Sequence, residues 1–476
     1  MIKHPYFDEL REKISFKNDA ITEQRLRWIE RNPYFYRQLL KSLKFIIEEN
    51  SKVLHVHCSI GYILNELKPS YGVGIDSSAK QIERAKTLYP NLNFYSQEEG
   101  LSPPLNEKFD YILINSIEDI VDIKAVLDSV KNCCNRNTRI ITLFSNYLWQ
   151  PLVKLAEWTN LRFPQQSHNW ISTDDLRSFL RLSGYEECSS KPFIIFPFNI
   201  PGISYFLNRF VARLPILWLF SMMRISVARM LADETKQHSL SIIIPCKNEA
   251  GNIESAIKRI PQMGLHTEII FGDDKSTDGT LEIIKQMIAK YPEKDIKLIH
   301  GPGICKAENV WTCFDHAKGD ILMILDADLT VVPEELPYFY EAIVKGQGEF
   351  INGSRLIYPM HKNAMPFFNT LGNKFFSMAF SYILDTKIKD TLCGTKVLWR
   401  SDYEKIKQLR GAWGINDRWG DYELIFGASK RHLKIIDLPV HYVERVYGET
   451  KMTKVIKNGF IMLRMCKAAL FRIKFY

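Results

Sequence analysis

No CxxC pair occurs among the nine cysteines of this 476-residue chain. An odd count without that spacing argues against a disulfide frame or a structural zinc site, and for reduced thiols. No apolar run approaches the roughly 18 residues that cross a bilayer, so no membrane-spanning helix is expected. The first residues, MIKHPYFDELREKISFKND, are charged throughout and lack the apolar core of a signal peptide. Low-complexity tracts are missing too, and the 46% hydrophobic and 25% charged fractions are those of a folded protein. The length fits two to four domains at about 150 residues each. The expected setting is the cytoplasm.

Acidic residues are absent from two segments. Residues 191–231 hold Lys191, Arg209, Arg213, Arg224 and Arg229, and residues 451–476 hold seven cations, with no acid in either. Their charge exceeds the net +9 of the whole chain, so the remainder is mildly acidic. Both segments interleave these cations with large apolar residues, as in PILWLFSMMRISVARML and GFIMLRMCKAALFRIKFY. On a helical wheel the second segment gathers Val455, Met462, Leu463, Met465, Leu470 and Ile473 on one half. A basic amphipathic helix suits an anionic membrane surface; the alternative is a helix docked on its own protein with lysines reaching out to water. Aliphatic interleaving argues against nucleic acid, which calls for stacking aromatics. The expectation is a peripheral protein on the inner face of a membrane.

From Leu240 onward, β-branched runs alternate with helical stretches. SLSIIIPCKNE reads as a strand ending near Pro245, TEIIFGDDKSTDGT as one ending at Asp273–Asp274, and GDILMILDADLT as one running into Asp326 and Asp328. Strand–helix alternation implies a parallel sheet, whose ligands gather at the carboxyl ends of the strands. Residues i and i+2 of an extended chain face the same side, so Asp326 and Asp328 are expected to converge. Two carboxylates that close need a cation, and Mg²⁺ or Mn²⁺ with oxygen ligands suits both them and phosphate.

These residues, with GSRL, DTLCGTKVLWR, WGDYELIFGA and LPVHYVERVYGETK, make residues 239–451 resemble a family 2 glycosyltransferase of GT-A fold, and within it the dolichol- or polyprenol-phosphate sugar synthases. The resemblance implies that Pro245, Asn248, Glu249 and Asp274 line a nucleoside site. It implies that Asp326 and Asp328 bind the metal, and that Arg355, Arg445 and Lys451 hold phosphate oxygens. Gly394 and Gly448 would let backbone approach the ligand. For Arg355 an ion pair is the competing reading, and for Asp421 and Glu423 a helix cap. Two departures stand out. Thr330 replaces a glutamine frequent after the DxD, and no arginine opens the helix after GSR, where Lys362 is a candidate substitute.

The N-terminal half resembles a class I S-adenosylmethionine-dependent methyltransferase over about residues 1–190. The stretch SKVLHVHCSIGYILNELKPSYGVGIDSS reads strand, turn, helix, strand, and Asp76 matches the acid that binds ribose hydroxyls. The glycine-rich first turn is damaged, however: His55, His57 and Ser59 stand where an acid and glycines belong, and Gly61 alone remains. Gly61 and Asp76 would bind S-adenosylmethionine if the domain retains it. His55 and His57 read as packed histidines rather than metal ligands, and Asp76 has a turn-forming role as its alternative.

The expected architecture is therefore α/β: a methyltransferase-like Rossmann domain (1–190), a basic apolar linker (191–238) with one amphipathic helix after Pro215, a GT-A domain (239–450) and a basic amphipathic tail (451–476). The leading function is metal-dependent, inverting transfer of a sugar from a nucleotide sugar to a polyprenyl phosphate. Alternatives are transfer to a hydroxyl, which needs a general base and makes Asp421 the candidate; a bifunctional methyltransferase and glycosyltransferase; and a non-catalytic assembly subunit.

Overall fold

A computed structural model describes residues 5–99, 101, 103, 105–159, 169, 171–231, 236–358, 367–414, 417–448 and 455–476. The chain forms two compact units, one of residues 1–231 with Phe475 and Tyr476, the other of residues 232–474.

In the first unit, three helices (Pro5–Ala20, Thr22–Arg31 and Pro33–Ile46) precede seven strands: β1 Lys52–Val56, β2 Tyr71–Asp76, β3 Asn93–Ser96, β4 Tyr111–Ile114, β5 Arg139–Ser145, β6 Tyr185–Ile194 and β7 Met223–Met230. They make one sheet in the order β3-β2-β1-β4-β5-β7-β6. β1 to β5 are parallel, while β7 runs antiparallel to both neighbours. The central strands are buried on both faces, as a helix-covered parallel sheet requires. Their apolar side chains divide between two cores. Leu54, Ile112 and Ile140 join one, and Val53, Leu113 and Ile141 join the other with Leu39 and Leu43 of the third helix. That division is the period-2 alternation of a strand read across the sheet.

The segment expected to be a linker is partly sheet. β6 reaches Ile194 and β7 supplies the strand between β5 and β6, so this unit continues to Leu231. No long helix follows Pro215; a short 3-10 turn, Leu217–Phe220, leads straight into β7. The reason lies in MRISVARM, where Ile225 and Val227 alternate with Arg224, Ser226 and Ala228. The β-branched Ile225 and Val227 favour a strand, and its alternate polar residues are buried too because they find partners in the sheet. Arg224 and Arg229 gain partners in the sheet, Ser190 at 3.2 Å and Glu186 at 2.9 Å.

The second unit also holds seven strands: β8 Leu240–Cys246, β9 Thr267–Asp273, β10 Asp295–His300, β11 Ile321–Ile324, β12 Phe350–Ser354, β13 Lys396–Trp399 and β14 Ile435–Pro439. Their order is β10-β9-β8-β11-β13-β12-β14, with β13 antiparallel to its neighbours. β8, β9, β10 and β11 are mutually parallel, and their registers bring Cys246 opposite Asp273 and Asp273 opposite His300. The carboxyl ends of these strands therefore share one rim.

The C-terminal helix, Val455–Ala469, buries Met462, Met465, Cys466 and Ala469 in the same core as Phe376 and Phe380 of the helix Phe367–Leu384. Ile473 follows them into that core, while Lys457, Arg464 and Lys467 stay exposed. Much of the apolar face expected to meet a membrane is thus spent on the protein itself, which is the docked-helix alternative. Phe460, Leu463 and Phe471 remain exposed. Among the described residues no helix is long and apolar enough to cross a membrane.

Candidate active site

The rim of β8, β9 and β11 carries three left-handed residues that are not glycine: Asn248, Lys275 and Leu329, with φ of 54°, 60° and 52°. Such backbone costs of order 1–3 kcal/mol per residue and persists where its surroundings impose it. Each sits in the turn just past a strand end.

β11 stops at Ile324, so Asp326 and Asp328 are not on an extended strand as the i, i+2 argument supposed. They lie in the turn beyond it, closed by a hydrogen bond from the Leu329 amide to the Asp326 carbonyl at 3.1 Å. Each carboxylate already faces a cation. Lys306 Nζ donates to Asp326 Oδ1 at 2.5 Å, and Arg445 Nη2 donates to Asp328 Oδ2 at 2.5 Å. Burial opposes ionisation of Asp326, but Lys306, with Arg355 and Lys396 farther off, outweighs it and holds the carboxyl below its ordinary range. Thr330 orients the second carboxylate, its amide and hydroxyl donating to Asp328 Oδ1 at 3.2 and 2.8 Å. Gly394 fits under the first: a Cβ there would stand 2.1 Å from Asp326 Oδ2.

Could these residues hold a hard divalent cation? Among the described residues no third His, Cys, Asp or Glu completes a cage with them. Two carboxylates with phosphate oxygens filling the remaining positions is nevertheless a usual Mg²⁺ arrangement. The ammonium and guanidinium drawn onto these oxygens show that the pair demands positive charge. The donor set fits Mg²⁺ or Mn²⁺.

The expected nucleoside-side residues share the neighbouring rim. Asn248 bridges two turns, its amide donating to Ser276 Oγ at 2.9 Å and its Oδ1 accepting from the Thr277 amide at 2.8 Å. The Glu249 amide donates to Thr280 Oγ1, and its Oε2 accepts from Asn252 Nδ2. Asp274 follows β9 and accepts from the Gly303 amide at 2.6 Å, with Lys247 Nζ at 3.9 Å. Pro245 is the penultimate residue of β8 and lies opposite Gly272. Gly448 has a φ of 83°, and a Cβ there would meet Glu249 Oε2 at 3.4 Å.

Two expected residues are engaged internally. Arg355 forms a bidentate pair with Asp390, at 2.7 and 2.9 Å, and lies 5.2 Å over the Tyr442 ring. Asp390 is fully buried and also accepts from Asn373 Nδ2 at 2.7 Å. Burial alone would raise its pKa, yet Arg355 and Asn373 hold it well below the usual carboxylate range. The ion-pair reading of Arg355 is therefore the one the structure displays, although the pair is buried rather than on the surface. Asp421 is 5% exposed and pairs with the fully buried Lys396 at 2.9 Å. Glu423 accepts from the Gly411 amide, and burial raises its pKa. The helix that Asp421 opens is capped by Asp417, which accepts from the Tyr422 and Glu423 amides at 2.7 and 3.0 Å. Lys451 and Lys362 lie outside the described residues.

Lys306, Asp390 and Lys396 were not expected. A signal for Lys306 was available: it is the first residue of the helix Lys306–His316, where the helix dipole disfavours a cation. Asp390 and Lys396 stand inside DTLCGTKVLWR and carry no motif of their own.

In the first unit the damaged turn keeps its backbone shape. His57, Ser59 and Gly61 have φ of 57°, 52° and 78°, so two side-chain-bearing residues adopt the conformation glycine favours. The Ser59 amide donates to Asp76 Oδ2 at 2.8 Å and the Ser78 amide to Oδ1 at 3.0 Å. His57 and Asp76 line a cleft, with His57 Nε2 4.0 Å from Glu99 Oε2. His55 is fully buried on β1, and neither ring nitrogen has a hydrogen-bond partner. Burial, with the nearby His57, lowers its pKa to about 3, so it is neutral.

The family model described as Glycosyl transferase family 2 matches residues 241–407. That match covers about a third of the chain. A methyltransferase-domain model matches residues 28–189. The glycosyltransferase half is similar to a dolichol-phosphate mannosyltransferase of Pyrococcus furiosus, 30% identical over 217 residues, or 45% of this chain and 59% of the relative. It is also 32% identical over 111 residues to an undecaprenyl-phosphate 4-deoxy-4-formamido-L-arabinose transferase of Aeromonas hydrophila, covering 22% of this chain and 34% of that one. The chain thus spans less than two thirds of the length of these curated relatives. A solved S-adenosylmethionine-dependent methyltransferase of Thermotoga maritima resembles this chain at 14% identity and a TM-score of 0.36, over 46% of this chain and 99% of its own.

Proposed function

We propose that the glycosyltransferase domain moves a sugar from a nucleotide sugar to a polyprenyl phosphate at a membrane surface. The observation that carries this reading is the distribution of carboxylates. Asp326 and Asp328 lie past the end of β11 and pair with the partly exposed Lys306 and Arg445, whereas Asp421, the candidate base, is locked to Lys396 in a buried pair. A lipid phosphate oxygen is anionic at neutral pH and needs no base; a hydroxyl does. The relatives named for dolichol- and undecaprenyl-phosphate support the same acceptor class.

A divalent cation held by Asp326 and Asp328 would neutralise the leaving nucleoside diphosphate. Lys306 and Arg445 bring two further cations to the same carboxylates, where they oppose charge developing on the diphosphate. Thr330 and Gly394 fix the orientation of the two aspartates. Asn248, Glu249 and Asp274 brace the turns that line the nucleoside side. Direct displacement at the anomeric carbon, with no covalent intermediate, inverts its configuration.

The residues of the first unit do not fit S-adenosylmethionine. His57 brings an imidazole to the lining of the cleft at a turn position where the family has glycine, and Ser59 stands at a second such position. The first unit is assigned a scaffold role.

The test is transfer of labelled sugar from a panel of nucleotide sugars, with Mn²⁺ or Mg²⁺, into organic-extractable polyprenyl phosphate, beside the Asp326→Asn/Asp328→Asn double variant. Metal-dependent label that the variant loses supports the proposal and names the donor. Donor hydrolysis without lipid product would point to another acceptor, and no turnover of any donor would leave the assembly-subunit alternative.

A further inference from the structure

The first unit contains a second pocket, whose lining shares no residue with the cleft beside His57 and Asp76. Lys41, Arg209 and Arg213 line it together with Tyr34, Gln38 and Asn208, and none of its lining side chains is acidic. Three cations lining one pocket repel one another, and an anion among them relieves that repulsion. Lys41 registers that cost: burial and then the charges of Arg209 and Arg213 lower its pKa. The walls are braced. Asn208 Oδ1 accepts from the Ile195 and Phe196 amides at 2.9 Å each, and its Nδ2 donates to the Tyr34 hydroxyl at 2.9 Å. Arg213 is held 4.0 Å over the Tyr476 ring.

What surrounds the pocket decides the kind of anion. Arg209 and Asn208 belong to the helix Ile203–Arg209, and the same helix exposes Ile203 (54%) and Phe206 (57%) to solvent. Residues spaced by three lie on neighbouring positions of a helix, so Ile203, Phe206 and Arg209 form one stripe, apolar at one end and cationic at the other. Just before this helix, Phe198 and Ile200 are also exposed, and after it Ile216, Leu219 and Phe220. A soluble phosphate compound has no use for such a fringe. A lipid does, with its phosphate among the cations and its chains beside the apolar residues.

We infer that this pocket is a docking site for the phosphate headgroup of an anionic membrane lipid, with Ile203 and Phe206 entering the bilayer interface beside it. The inference rests on the membrane-surface reading of the proposed function and gives that surface a location on the first unit.

The experiment is flotation of the full chain with phosphatidylcholine vesicles, with and without phosphatidylglycerol. The expected result is binding that needs the anionic lipid and weakens about tenfold or more in Lys41→Gln/Arg209→Gln, with an unchanged unfolding temperature. Lys457→Gln/Lys467→Gln, in the C-terminal helix, should bind as the wild type does. If the pocket variant binds normally and the C-terminal variant does not, the pocket assignment falls while the membrane reading stands. If the wild type ignores both vesicles, both readings fall. Inorganic phosphate that stabilises the wild type but not the pocket variant, without vesicle binding, would make the ligand a soluble phosphate and overturn the lipid assignment. Should the pocket variant lose its fold, Ile203→Ser/Phe206→Ser leaves the cations in place; wild-type binding by that variant also overturns the inference.

Discussion

Gly394 shows how one missing methyl group can hold a site together. The Asp326 carboxylate lies so close over its backbone that any Cβ must displace it. Gly394→Ala should therefore leave the fold intact and shift Asp326 by a fraction of an ångström to an ångström, costing about 100-fold in sugar transfer. Steady-state kinetics beside a thermal melt separates that outcome from simple unfolding. Asp390 illustrates the opposite case. Asp390→Asn strands the guanidinium of Arg355 in a buried setting, and breaking a buried pair from one side costs about 3–5 kcal/mol. Urea unfolding of this variant should show the loss in the second unit. An Arg355→Met/Asp390→Leu double variant should recover much of it, because it removes both charges.

At the scale of the element, strand ends were the legible feature. Runs such as SLSIIIPC and GDILMIL announce buried parallel strands, and aspartates that follow them mark the rim where ligands gather. What followed the strands was less legible, because a turn obeys local hydrogen bonds rather than a period. Asp326 and Asp328 lie in a turn stabilised by Leu329 and Thr330, not on the extended strand, and each meets a cation of its own. β7 was hidden for a related reason: its arginines look like surface cations until Glu186 and Ser190 of the adjacent strand are in place. Lys306 and Lys396 act across long sequence separations, which no local spacing records. β1 carries a pH-dependent consequence of its own. His55 is buried and neutral, with its pKa lowered from about 6.5 to about 3. The unfolded chain binds a proton in this window and the folded one does not, so stability is full above pH 6.5 and falls as pH drops toward 3. The slope from this one group is about 1.4 kcal/mol per pH unit. Urea midpoints at successive pH values should show it, and His55→Leu should flatten it.

For the whole molecule, the question is whether two Rossmann-like units imply two chemistries. In the second unit Asp326 and Asp328 follow β11, with Gly394 under the first carboxylate, and Lys306 and Arg445 face them, while Asp421 is taken up by Lys396. The first unit keeps the backbone shape of a cofactor turn and fills it with His57 and Ser59, while its Asp76 secures that turn through the Ser59 amide. Two outcomes follow for the intact chain. Chelating divalent metal should abolish sugar transfer, since the carboxylate pair then lacks the cation that meets a diphosphate. S-adenosylmethionine should give no heat on calorimetric titration and leave the transfer rate unchanged. Binding of that cofactor by the wild-type chain would require His57 to leave the cleft, and it would reopen a methylation role for the first unit. Binding seen only in His57→Gly/Ser59→Gly would instead show that these two residues closed a site the backbone still outlines.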